Sequence, residues 1–293
     1  MEEKEKKEIL IIGPSQSGKT AMIASIQRAI LNWNEKKTGT NLSIFPVNTE
    51  MEELLELYEM QVIENGYLPR TGSAGFSNYL FDLEFRRTGI GWLLGKKGIR
   101  FNFTDGPGGD LIPSLEKKSD FDKHEIEKRR NDLINRLEKA SSFIVCIDST
   151  DEKSAFDFWA ILPTILRKRK KKFDRFVICL TKADRYFAER YINPLEEIES
   201  EDPIKRGTEL LGKTGLKFID MHCKETKVGI CWTSAYGFIE SDGNANYNKK
   251  EDKLRYWGEG FTEQEVMDNW TPYQIVEPFL FVATGISRGI KFL

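Results

Sequence analysis

Short apolar runs alternate along the chain with longer stretches in which apolar residues recur every three or four positions. The runs are of buried-strand length, whereas the longer stretches are typical of amphipathic helices. We predict strands at 8–13, 78–87, 98–106, 142–150, 175–184 and 228–235, the second and third forming an antiparallel hairpin and the sixth being the last of the chain. We predict helices at 19–33, 49–66 (Thr49 as N-cap with Glu52 in a capping box), 124–140 and 271–286 (Pro272 in the first turn and a kink at Pro278).

The order of these elements predicts the fold class. Strands that alternate with helices favour an α/β protein with a doubly wound, mostly parallel sheet of about six strands. The near-continuous apolar runs at 142–150 and 175–184 suit strands that are covered on both faces. We expect one domain over residues 1–293, with insertions at about 34–77, 186–226 and 240–268, the last of them a polar loop.

Charge and cysteine content narrow the possible functions. The formal net charge of −2 gives no strong field toward nucleic acid or anionic membrane, and the basic run at 167–172 is interpreted as a solvated helix end. No apolar stretch approaches the ~18 residues of a membrane span, and no signal peptide is evident, so a cytoplasmic protein is expected. The four scattered cysteines are expected to be reduced, buried thiols, and the two histidines lack the spacing of zinc ligands.

The segment GPSQSGKT at 13–20 matches G-x-x-x-x-G-K-[ST] at every fixed position, after a predicted strand and at the start of a predicted helix. Its glycines let several backbone N–H groups point at one place, and the helix start and a lysine add positive charge. This chemistry predicts a site for the β- and γ-phosphates of a nucleotide, with the Thr20 hydroxyl offered to Mg²⁺. The assigned residues are Gly13, Ser15, Gln16, Ser17, Gly18, Lys19, Thr20 and Ala21.

Three later segments bear on which nucleotide is bound. In TDGPGG (104–109), Asp105 is placed near the magnesium ion, and Gly108 can donate its N–H to the γ-phosphate. In TKAD (181–184), Asp184 can accept hydrogen bonds from the N1–H and 2-amino groups of guanine, a donor pair that adenine lacks, while the stem of Lys182 lies across the base. In TSA (233–235), the N–H of Ala235 can meet the guanine carbonyl oxygen. The candidate base-binding residues are Thr181, Lys182, Asp184, Ser234 and Ala235.

In this order, each at the carboxyl end of a strand, the four motifs resemble those of the Ras-like GTPases, the class of G domains found in translation factors. The DGPGG variant and the long early insertion also resemble bacterial double-GTPase proteins of conflict and defence systems. The resemblance implies a switch that binds GTP and GDP with Mg²⁺, hydrolyses GTP slowly and works with a protein effector or activator; assembly with itself or another chain stays open. It also implies a switch I threonine as a further Mg²⁺ ligand beside Thr20 and Asp105. The candidate is Thr71, with Thr88 second.

The chain departs from the family at the position that orients the attacking water. Many Ras-like proteins place a glutamine there, but this sequence has Gly109, followed by Asp110. We therefore expect slow intrinsic hydrolysis, assisted by Asp110, by Arg70 beside Thr71, or by a group from a partner. Two alternatives stay open: a GTP-dependent scaffold that does not hydrolyse, which Gly109 favours, and an ATP-using P-loop kinase, against which Asp184 argues.

Overall fold

In the computed structural model, the structure describes residues 5–6, 9–36, 40–64, 66–68, 77–87, 97–105, 134–166, 172–239, 243–251, 253–255 and 270–293, with single positions at 128, 131, 169, 262 and 265. The strands are β1 (Glu5–Lys6), β2 (Ile9–Ile12), β3 (Thr40–Pro46), β4 (Ser77–Arg87), β5 (Lys97–Asp105), β6 (Ser142–Asp148), β7 (Arg175–Thr181), β8 (Val228–Trp232), β9 (Ser234–Ile239), β10 (Trp270–Tyr273) and β11 (Lys291–Phe292). The helices are α1 (Lys19–Ala24), α2 (Ile26–Glu35), α3 (Thr49–Ile63), α4 (134–139), α5 (Glu152–Ile165), α6 (Ala183–Ala188), α7 (Pro194–Ser200), α8 (Pro203–His222) and α9 (Val276–Thr284).

The central sheet has the order β11-β8-β7-β6-β2. Strands β2, β6, β7 and β8 are parallel, and β11 pairs antiparallel with β8 at one edge. Alternate residues of these strands enter two apolar cores, one under α1, α2 and α9 and the other under α5 and α8. The predicted α/β class with a mostly parallel central sheet is confirmed, and among the described residues this sheet has five strands rather than six.

A second sheet has the strand order β1-β5-β4-β3, and its edge strand β1 comes just before β2 in the sequence. Strands β4 and β5 form the predicted antiparallel hairpin, from Ser77 opposite Asp105 to Phe85 opposite Lys97. Strand β1 runs parallel to β5. The outer strand β3 was not predicted, since it lies in the segment interpreted as an insertion.

Two helices begin elsewhere than the sequence predicts. The N-cap of α3 is Asn48 rather than Thr49, and its side-chain oxygen accepts a hydrogen bond from the backbone N–H of Leu80, 3.0 Å away in β4. Pro272 lies in β10, and α9 begins only at Val276, so Pro278 falls in the first turn and produces no interior kink. A proline is tolerated there because the first N–H groups of a helix have no partner within it.

The segments predicted as insertions are largely structured. Helix α8, within 186–226, packs on α5 and β8 and supplies the crossover that joins the parallel strands β7 and β8. Strand β8 is not the last: after Thr233 the chain continues as β9, which pairs antiparallel with β10. Part of the predicted polar loop also pairs back, through bridges between Phe238 and Ala245 and between Asn248 and Lys253.

Arg169, in the basic run, is not simply solvated, because its guanidinium donates to the carbonyl of Leu137, within α4, at 2.5 Å and to that of Ala140, just after α4, at 2.7 Å. All four cysteines are free and buried, as predicted.

Within the described ranges, no helix combines the length and the apolar composition that crossing a bilayer requires.

Candidate functional site

The glycine-rich loop starts where β2 ends and bends over the neighbouring strand β6. A Cβ atom at Gly13 would lie 2.1 Å from the backbone oxygen of Cys146, so only glycine fits this approach. Further on, Gln16 has φ +62° and Gly18 has φ +80°, both left-handed. Alternation of left-handed with ordinary residues makes a concave row of N–H groups, which is the form of an anion-binding nest.

The Lys19 side chain lies over this loop. Its ammonium donates to the carbonyl oxygens of Gly13 at 3.2 Å and Pro14 at 2.7 Å, and the residue is 8% exposed. The charge is thus held at the concave side of the loop, beside the start of α1. Ser15 and Gln16 are exposed at the tip, whereas Ser17 is buried.

Thr181, at the end of β7, holds the loop in place. Its hydroxyl oxygen lies 2.7 Å from the carbonyl oxygen of Ser17 and 3.0 Å from that of Ile147. The Thr181 backbone oxygen accepts from the Ser149 hydroxyl at 2.7 Å. One buried residue therefore joins the loop, β6 and β7.

Lys182 follows in a left-handed conformation, with φ +54°, and is the N-cap of α6. Its ammonium lies 2.5 Å from a carboxylate oxygen of Asp148 at the end of β6. The other Asp148 oxygen accepts from the Thr150 N–H and hydroxyl at 2.9 and 2.7 Å. This pair fixes the direction in which the Lys182 stem leaves the sheet.

Asp184 is 5% exposed, and one of its carboxylate oxygens accepts from the Ser234 hydroxyl at 2.5 Å. The Ser234 hydroxyl oxygen in turn accepts from the Gly237 N–H at 2.8 Å. Burial raises the pKa of Asp184 to about 6, against the lowering effect of the hydrogen bond from Ser234 and of backbone N–H groups. At pH 7 the carboxylate is ionised in a poorly hydrated place, where it is a strong hydrogen-bond acceptor.

The strand ends therefore bring the loop and two later motifs to one edge of the sheet. The N–H of Thr233 donates to the Leu180 carbonyl at 2.8 Å, and the N–H of Ala183 donates to the Thr233 carbonyl at 3.2 Å. These bonds extend the β7–β8 ladder beyond the strands. Ser234 consequently lies against Asp184, and Ala235 follows it at this edge.

The structure describes the other predicted site residues only in part. Thr20 is in the first turn of α1 and half-buried, and Asp105 is the last residue of β5, with its side chain outside the described part. Arg70, Thr71, Thr88 and the segment Gly108–Asp110 lie outside the described residues. Among the described side chains, no group of three or more His, Cys, Asp or Glu residues could hold a metal ion.

Three residues of this region were missed by sequence reasoning. Asp148 has a recognisable signal, an acidic residue that ends an apolar strand in CIDST. Tyr58 and Tyr236 had no such signal, because the first is in the amphipathic helix α3 and the second follows TSA in what was interpreted as a strand end. The Tyr58 hydroxyl donates to the carbonyl of Ala235, a contact that depends on how two distant segments pack.

A separate cavity of about 450 Å³ is lined by residues of α2, β10 and the start of α9, including Trp33, Tyr273 and Glu277. Burial raises the pKa of Glu277 to about 7, while Arg288 and Lys36 act in the opposite direction. None of these residues belongs to the four motifs at the sheet edge.

No protein-family model matches the chain, and no curated protein shows significant similarity to it. The functional assignment accordingly rests on the motifs and on the geometry at the carboxyl edge of the sheet.

Proposed function

We propose that this chain is a GTP-binding molecular switch of the Ras-like type, which binds GTP and GDP with Mg²⁺ and hydrolyses GTP slowly. One observation carries the proposal: the lysine-bearing loop is bonded through Thr181 to the strand that continues into Lys182 and Asp184, and Asp184 is bonded to Ser234. In open α/β sheets, ligands bind at the carboxyl ends of the strands. A phosphate-binding loop and a buried carboxylate at that edge suit the two ends of a nucleotide.

The donors available fit a triphosphate better than another anion. The concave N–H row, the start of α1 and the Lys19 ammonium together supply positive charge at the loop. We assign Lys19 to the β- and γ-phosphates, and the Thr20 hydroxyl, with Asp105 and Thr71, to the metal ion, which supplies charge neutralisation when bound. Gly108 is assigned to the γ-phosphate.

The residues assigned to the nucleotide base favour guanine over adenine. An ionised Asp184 accepts hydrogen bonds but donates none, which suits the N1–H and 2-amino group of guanine and leaves adenine without a matching donor pair. The N–H of Ala235 is assigned to the guanine carbonyl oxygen. Discrimination by a hydrogen-bonding site of this kind is strong, because the wrong base leaves a buried polar group unpaired.

Calorimetry with GDP, GTP and ATP in magnesium buffer tests the binding part. We expect GTP and GDP to bind and ATP to bind far more weakly. Lys19→Met should abolish binding, and Asp184→Asn should remove the preference for guanine. Lys217→Met and Asp220→Asn, at exposed positions of α8, are matched controls that should bind like the wild type. Tighter binding of ATP than of GTP would favour a P-loop kinase instead.

Single-turnover hydrolysis tests the catalytic part. Gly109 cannot orient a water molecule, so the purified protein should turn over far below the ~10 s⁻¹ of partner-stimulated GTPases. A rate near that value would contradict the expectation. If the protein binds GTP but releases no phosphate with or without cell extract, the non-hydrolysing scaffold is the correct function.

A further inference from the structure

Helix α3, which lies in the early insertion, contacts β9, the strand that begins within the TSA motif. The Tyr58 side chain of α3 is 1% exposed, and its hydroxyl donates to the backbone carbonyl of Ala235. The Tyr58 ring also packs at 6.0 Å, edge-on, against Trp270 of β10. A residue 177 positions earlier in the chain thus holds the carbonyl of Ala235, the residue whose N–H is assigned to the base.

A second contact joins Leu68, within the same insertion, to the next residue of the strand, Tyr236. The backbone N–H of Leu68 donates to the Tyr236 hydroxyl at 2.8 Å. The rings of Tyr58 and Tyr67 lie 5.7 and 5.0 Å from the ring of Tyr236. Leu68 is three residues before Thr71, so this contact ties the strand to the start of the segment that carries the candidate metal ligand.

The direction of the Tyr58 bond bears on base recognition. In an extended residue the N–H and the C=O point to the same side of the strand, and Ala235 is the second residue of β9. A base oxygen that accepts from the Ala235 N–H therefore lies on the side from which the Tyr58 hydroxyl approaches. Tyr58 is also close enough to Asp184 for that carboxylate to raise the tyrosine pKa, after the larger effect of burial.

We propose that Tyr58 and Tyr236 are positioning residues, through which the early insertion fixes the base-reading strand at Ala235 and couples it to the backbone at Leu68. This inference rests on the proposed guanine-nucleotide function. Tyr58 holds the Ala235 carbonyl and so restrains the backbone dihedral angles of the residue whose N–H is assigned to the base, and Tyr236 joins the strand to Leu68. Occupation of the base site then restricts the backbone at Leu68.

The affinities of three nucleotides, GDP, 6-thio-GDP and IDP, distinguish the proposed Ala235 contact from the proposed Asp184 contact. GDP and 6-thio-GDP differ at the oxygen assigned to Ala235, whereas GDP and IDP differ at the 2-amino group assigned to Asp184. In Tyr58→Phe, which loses only the hydroxyl, we expect the preference for GDP over 6-thio-GDP to fall by about fivefold, the size of one neutral hydrogen bond. The preference for GDP over IDP should change by less than about twofold. Tyr191→Phe, whose ring stacks on Phe187, is the control.

If both preferences fall together, or neither changes, Tyr58 has a general structural role and the positioning proposal is wrong. If the wild-type protein binds none of the three nucleotides, the proposed function itself fails, and this result is distinct from binding with unchanged ratios.

Amide hydrogen exchange at Leu68 tests the second contact and does not depend on Tyr58→Phe being folded. In nucleotide-free protein, Tyr236→Phe should speed exchange of the Leu68 amide by about tenfold, since its acceptor is removed. GDP should slow this exchange in the wild type and have a smaller effect in Tyr236→Phe. Equal Leu68 exchange in both proteins, or no response of the wild type to bound GDP, would overturn the coupling.

Discussion

The binding of GDP should weaken in acid because Asp184 must be ionised to accept hydrogen bonds from guanine. The carboxyl group is 5% exposed and bonded to Ser234, and burial raises its pKa from 3.8 to about 6. In the free protein a proton therefore occupies this group at a pH where an exposed aspartate would have lost it. Guanine binding has to displace that proton, which costs affinity below the pKa.

The expected loss of GDP affinity follows from the fraction of the free protein in which Asp184 is protonated. With a pKa of about 6, the dissociation constant for GDP rises about elevenfold at pH 5, about twofold at pH 6 and only about 1.1-fold at pH 7. The effect at pH 5 corresponds to about 1.4 kcal/mol of binding free energy. With an unshifted pKa of 3.8, the same calculation gives a change of only about 6% at pH 5.

Competition binding with a fluorescent guanine nucleotide, between pH 5 and pH 8, measures this change. The phosphate groups of GDP also titrate in this range, so the quantity to compare is the ratio of dissociation constants for the wild type and Asp184→Asn, which share that effect. Asparagine does not titrate, so the dissociation constant of the wild type divided by that of Asp184→Asn should rise toward acid as the wild type loses its advantage. A ratio that stays constant from pH 5 to pH 8 would refute the assignment of Asp184 as a base acceptor with a raised pKa.

Three further changes test the surroundings of the site. Gly13→Ala should abolish nucleotide binding measured by calorimetry, because the new Cβ would lie 2.1 Å from the Cys146 oxygen and the loop must move; wild-type affinity would contradict the close approach. Thr181→Val should lower the free energy of unfolding by about 1–2 kcal/mol and weaken GDP binding, since the contact with the Ser17 carbonyl is lost, whereas Thr181→Ser should retain both. Burial raises the pKa of Glu277 from 4.5 to about 7, so the folded protein holds a proton that the unfolded chain releases, and stability is lost as the pH rises through this range. Because the side chain is only half-buried, Glu277→Gln should raise the free energy of unfolding by about 1–2 kcal/mol at pH 8 and not at pH 4, as followed by thermal melting; equal effects at both pH values would show that the titration of Glu277 is not the cause.

The sequence by itself determined the α/β class and the parallel core. Strands β6 and β7 are apolar at nearly every position, which only a sheet covered on both faces requires, and the alternation of β4 and β5 predicted their hairpin. The loop at 13–20 was also readable from sequence, because its spacing and its place between a strand and a helix are local properties. Thr181, Lys182 and Asp184 could be singled out because a polar run that ends an apolar strand has few structural uses.

Other features depended on packing between segments far apart in the chain. Pro272 and Pro278 fit equally well in a helix or before one, and the pairing of β10 with β9 decided that α9 begins only at Val276. Thr181 was singled out from its place in the TKAD run, but the contacts of its hydroxyl with the Ser17 and Ile147 carbonyls depended on the fold. No local pattern marks Tyr58, because a buried tyrosine on an amphipathic helix has the same periodicity whether or not its hydroxyl reaches Ala235. Hydrophobic periodicity specifies which face of an element is buried, whereas the partner that a buried polar group finds there is decided only when the elements are assembled.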